Sequence, residues 1–73
     1  MYILSQNKER IIKVGSLFID KNGDNWEIDN DGDWLGTYKT KEYAKSVLEL
    51  IFREMEWEHT TFEMPQDDEV KED

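Results

Sequence analysis

The densest set of potential ligands lies in residues 20–33, where Asp20, Asn22, Asp24, Asn25, Glu27, Asp29, Asp31 and Asp33 follow one another closely. Carboxylates and amides at alternate positions are how a calcium loop builds an oxygen cage. The spacing does not complete such a loop. Counting from Asp20 puts Asn25 where the sharp turn needs glycine, and Asp31 where a bidentate glutamate belongs. Counting from Glu27 puts Gly32 in place but Tyr38 at the twelfth position. Asparagine, aspartate and glycine are also what tight hairpin turns require, and that reading explains the run better. No metal site is expected.

Other chemistry is thinly supplied. His59 is the single histidine, and there is no cysteine, so neither a zinc centre nor a disulfide is available. Ser5, Ser16 and Ser46 have no nucleophile context, and nothing marks a partner that would complete a triad with His59. No glycine-rich stretch could cradle a phosphate. The expectation is a protein that is not an enzyme and carries no cofactor.

The charge narrows the partners. Eighteen acidic residues oppose nine basic ones, a formal charge of −9. Residues 66–73 hold −4 of it, leaving −5 for the body. Direct nucleic-acid binding calls for a basic patch and is not expected, nor is binding to an anionic membrane. A partner with a basic surface suits this balance. There is no apolar leader at the N-terminus and no run long enough to span a bilayer, so a soluble cytoplasmic protein is expected. Seventy-three residues allow one small core, for which self-association is a common remedy.

These groups must be positioned by a few short elements. Residues 2–5, 10–14 and 16–20 read as strands. Asn22-Gly23 and Asp31-Gly32 are two-residue hairpin signals, so residues 25–29 and 33–39 should return as strands. Thr40 is suited to cap a helix over 41–58, in which Ala44, Val47, Leu48, Ile51 and Met55 share one face. Residues 60–64 can form a last strand, stopped by Pro65. The expected architecture is α+β: a small antiparallel sheet of four to six strands, meander-like, packed on one face by a single amphipathic helix. Residues 1–65 form one domain, and 66–73 an acidic tail too polar to pack.

The hairpin turns also set the faces. With Asn22-Gly23 and Asp31-Gly32 in the turns, Leu17, Ile19, Trp26, Ile28 and Leu35 share the face that receives the helix. The other face carries Phe18, Trp34 and Tyr38 among Asp20, Glu27 and Asp29. Aromatic anchors rimmed by charge are the common content of protein interfaces, so these six are the candidate partner-binding residues.

Three segments carry a resemblance. Residues 1–8 fit Met-x-Ile-(Ile/Leu)-Ser-Gln-(Asp/Asn)-Lys, residues 35–48 fit Leu-Gly-x-Tyr-x-Thr-x-Glu-x-Ala-x-x-Val-Leu, and residues 62–65 fit (Tyr/Phe)-Glu-Met-Pro. In these the chain resembles a set of short proteins of Gram-positive bacteria and their phages. The resemblance implies a phage or mobile-element accessory role in the host cytoplasm and supplies no catalytic residue. By analogy of size and context it implies occupation, and inhibition, of a host protein, including one of a defence system. Two alternatives stand beside this. One is a sponge for a nucleotide signal, acting as an oligomer, if Lys39, Lys41 and Lys45 converge at the helix N-terminus. The other is a nucleic-acid mimic, which needs a regular acidic stripe, whereas these acids cluster at turns and tail.

Overall fold

Among the described residues, alternating short strands, two tight turns and one amphipathic stripe produce six strands and one helix. The computed structural model describes residues 1–67. In chain order the elements are β1 (Tyr2–Leu4), β2 (Ile11–Lys13), β3 (Leu17–Asn22), β4 (Asn25–Asn30), β5 (Asp33–Tyr38), α1 (Lys41–Glu56) and β6 (Thr61–Glu63). The α+β class is as expected. The strands divide into two three-stranded sheets, ordered β2-β1-β6 and β3-β4-β5. The second is the meander. In the first, β6 runs parallel to β1, so the two ends of the fold meet side by side.

Both hairpins form, with registers that differ from the simplest reading. At the first turn Gly23 has φ 63°, and Ile19 lies opposite Ile28. The two turn residues are Gly23 and Asp24, with glycine at the first central position, where a type II′ turn requires it. This moves the pairing by two residues and leaves the faces unchanged. At the second turn Asp31 (φ 50°) and Gly32 (φ 90°) form the expected pair of left-handed residues. Beyond it the ladder slips: Asp29 pairs with Trp34, but Ile28 pairs with Gly36. Leu35 is the extra residue of a bulge, which exchanges the faces for the rest of β5.

Two side-chain amides take the place of strand residues where the two sheets meet. Asn30, almost fully buried, accepts from the Gly15 N–H at 2.7 Å and donates to the Lys13 carbonyl at 3.0 Å. Gln6 accepts from the Thr37 N–H at 2.8 Å and donates to the Thr37 carbonyl at 3.0 Å. Its own N–H donates to the Leu35 carbonyl at 2.7 Å. Each amide satisfies backbone groups that would otherwise be orphaned by the break between sheets. No buried side-chain nitrogen or oxygen lacks a partner among the described residues.

The core joins all parts: Ile3 and Met64 at the first sheet, Ile28, Leu35 and Tyr38 from the second, and Ala44, Val47 and Ile51 from α1. The Thr40 hydroxyl accepts from the Tyr43 N–H at 3.1 Å, capping the helix start. At the other end Glu58 donates to the Met55 carbonyl and His59 to the Glu54 carbonyl, each at 3.0 Å. That is the Schellman arrangement, with Glu58 at φ 60° in the place glycine prefers. The helix therefore stops at Glu56, short of the expected residue 58. Because a left-handed conformation costs a residue with a Cβ about 1–2 kcal/mol, Glu58→Gly should stabilise the fold by about 0.5–1 kcal/mol. Urea unfolding checks this.

The body also reaches past Pro65. The Gln66 side chain donates to the Gln6 carbonyl at 2.7 Å, and an Asp67 carboxylate oxygen accepts from the Lys39 N–H at 3.3 Å. The expected tail thus loses its first two residues to the fold; the remainder, 68–73, lies outside the described residues.

Candidate functional site

The second sheet covers the helix with one face and leaves the other open. Directly opposed residues share a face, so the pairings across β3, β4 and β5 define two rows. One row is Phe18, Asp29 and Trp34; the next is Asp20, Glu27 and Thr37. Phe18 is 39% exposed and Trp34 half-buried, and neither packs against the core. The Trp34 indole N–H donates to the Thr37 hydroxyl at 2.9 Å, which ties the ring across both rows. Asp29 therefore stands between two aromatic residues, with Asp20 and Glu27 alongside.

These three acids form no ion pair among the described residues. Asn22 donates its side-chain amide to Glu27 at 3.1 Å, a neutral contact that leaves the charge in place. Partial burial, first, and then the like charges of Glu27 and Asp20 push the Asp29 carboxyl above its ordinary value of 3.8, and a hydrogen bond to Asp20 adds to this. No group of three or more metal-ligating side chains suited to a metal ion is found among the described residues.

A raised carboxyl has a sign that can be checked. The folded state holds the Asp29 proton more tightly than the unfolded chain does, so this group's stabilisation is full below pH 3.8 and is lost as pH rises through its folded pKa. Asp29→Asn should therefore melt higher than the parent at pH 7, and the difference should close below pH 3.8. Thermal melts at the two pH values measure it. A residue whose ionised form disfavours folding is one that folding alone would not keep, which marks it as a site candidate.

Tyr38 is not part of this face. It is fully buried in the core, and its hydroxyl donates to the Pro65 carbonyl at 2.7 Å. The bulge at Leu35 is the reason: one extra residue turns Tyr38 to the side that Ile28 and Trp26 occupy. Gly36 is carried inward with it, and the Tyr38 ring lies over it so closely that a Cβ there would sit 3.2 Å from ring atoms. Of the six candidate residues the structure brings five together, and the sixth is structural.

The lysines of the alternative reading are arranged differently from expectation. Lys41 and Lys21 place their ammonium groups 5.4 and 5.7 Å from the centre of the Trp26 ring. The Lys39 N–H is engaged by Asp67. Lys21 was missed in the sequence because only the two-residue change of register sets it opposite Trp26.

Residues 1–8, 35–48 and 62–65 converge at one place, where Gln6, Thr37, Tyr38 and Pro65 meet at the border of the acidic face. Ser5 donates to the Asn7 side chain at 2.6 Å and accepts from the Arg10 N–H at 3.1 Å, shaping the turn that presents Gln6. Gln6 then meets Thr37 and also approaches the Pro65 carbonyl at 3.3 Å, the same oxygen that Tyr38 reaches. These residues hold the two sheets together. No protein-family model, no curated protein and no solved structure matches the chain.

Proposed function

We propose that the chain is a non-enzymatic interaction protein whose open sheet face docks a cationic surface of another protein. The observation that carries the reading is the row Phe18, Asp29, Trp34, with Asp20 and Glu27 beside it and no cation paired to any of the three acids among the described residues. Such a row suits an arginine. Its guanidinium can stack on Trp34 or Phe18 while a carboxylate takes its N–H groups. Burial raises Asp29 first and the like charges of Glu27 and Asp20 add to it; that cation would relieve the repulsive part. In the phage or mobile-element setting that the resemblance implies, the partner is a host protein with a basic surface, and covering it inhibits it.

Capture of host proteins at two ionic strengths tests this. A partner held by the acidic face should be released between about 0.05 and 0.5 M salt, as the screening length falls well below 10 Å. Binding indifferent to salt would remove the face from consideration.

A second reading rests on Trp26. A ring with two ammonium groups near it could stack a base and hold its phosphate, as a sponge for an anionic nucleotide would. Native mass spectrometry of freshly purified protein decides it, through a retained ligand that Lys21→Ala and Lys41→Ala release.

A further inference from the structure

The first sheet has an outer face that nothing in the described chain covers. Ile3, Ile12 and Phe62 point inward to the core, so Tyr2, Leu4, Ile11, Lys13, Thr61 and Glu63 point outward. Ile11 is 73% exposed and Tyr2 50%. With Leu4 they border a shallow groove of about 230 Å³ that extends to Thr61 and Glu63. Exposed isoleucine, leucine and tyrosine on one face of a three-stranded sheet make a surface that water solvates poorly.

The charges on this face say what covers it. Lys13 lies on the β2 edge and Glu63 on the β6 edge, with the apolar residues between them. Although the chain carries −9 overall, this face holds Lys13 against Glu63, and Lys8 joins it as a second cation through an ion pair to Glu63 at 3.2 Å. A cation at one edge and an anion at the other form a self-complementary pattern. Lys13 stands level with Tyr2 and Glu63 level with Leu4, at diagonal corners of the face. A two-fold axis running obliquely through the other two corners, Ile11 and Thr61, would lay Lys13 of one copy over Glu63 of the second. Lys13 of each copy then reaches Glu63 of the other, twice per dimer, and Ile11 meets Ile11 of the second copy on the axis. The strongly acidic sheet face, which would repel a second copy, lies on the other sheet.

We propose that the outer face of β2-β1-β6 is a homodimer interface. A chain of this size has a small core, and burying Tyr2, Leu4 and Ile11 against a second copy extends it. The proposal is independent of the partner-binding reading, since the two faces share no residue.

Sedimentation equilibrium of the full chain tests it. The parent should rise from 8.8 kDa toward twice that mass with concentration. Ile11→Asp should hold the monomer mass throughout; circular dichroism should show it folded, since Ile11 is largely exposed. Lys13→Glu alone and Glu63→Lys alone should each weaken association about tenfold, because each sets two like-charge contacts in the dimer. The double exchange Lys13→Glu with Glu63→Lys should restore it. A mass of 8.8 kDa up to about millimolar concentration would overturn the proposal. So would a dimer that survives Ile11→Asp but is lost on Phe52→Asp, which would move the contact to the helix. Asp29→Lys should leave the mass unchanged, keeping the two faces distinguishable.

Discussion

Tyr38→Ala is expected to remove about half of the fold's stability at 25 °C. The ring is fully buried among Ile28, Leu35 and the helix stripe, and removing a buried aromatic costs about 3–5 kcal/mol. A domain of this length holds about 4–10 kcal/mol in all, so the loss is about half of the total. Tyr38→Phe keeps the ring and removes the hydroxyl that donates to the Pro65 carbonyl. That oxygen retains the Gln6 amide at 3.3 Å, so the cost should be about 1–2 kcal/mol. Gly36→Ala should fall between them, at about 1–3 kcal/mol, because its methyl would press on the Tyr38 ring and on Gln6. Urea unfolding of the three variants reports the order. If Tyr38 lay on the open face, Tyr38→Ala would be nearly neutral, so the same experiment verifies the bulge.

Asp29→Lys should have the largest effect on binding. The substitution puts a cation between Phe18 and Trp34, where the proposed partner brings its own. Loss of the attraction and gain of a repulsion together should weaken a purified partner at least about a hundredfold at low salt. The fold should tolerate the change, because the new ammonium would sit beside Asp20 and Glu27 and relieve their crowding. Trp34→Ala should weaken binding about tenfold or more, with little salt dependence, since it removes contact area rather than charge. Calorimetric titration at two salt concentrations separates the two.

Much of this arrangement is legible in the residues. Thr40 and the three-and-four spacing from Ala44 to Met55 place the helix, and Asp31-Gly32 places a turn, because local chemistry fixes both. Phe18, Asp20, Glu27, Asp29 and Trp34 fall on one face because a two-residue change of register preserves sides. Tyr38 could not be placed the same way. The bulge at Leu35 has no local mark such as a glycine at the extra position; it follows from the need to seat Leu35 and Tyr38 in one core. The separation into two sheets is equally silent, since it depends on β1 meeting β6 across nearly the whole chain. Gln6 and Asn30 read as ordinary polar loop residues until both sheets are in place.

Three tryptophans report on three separate surfaces: Trp34 on the acidic face, Trp26 beside Lys21 and Lys41, and Trp57, 64% exposed, at the end of the helix. Following their indole N–H resonances while a captured partner is titrated into labelled protein asks directly where it docks. The Trp34 resonance should move with the amides of Phe18 and Asp29, while those of Trp26 and Trp57 stay in place. Movement of Trp26 or Trp57 with Trp34 unmoved would contradict the assignment of the open sheet face as the binding surface.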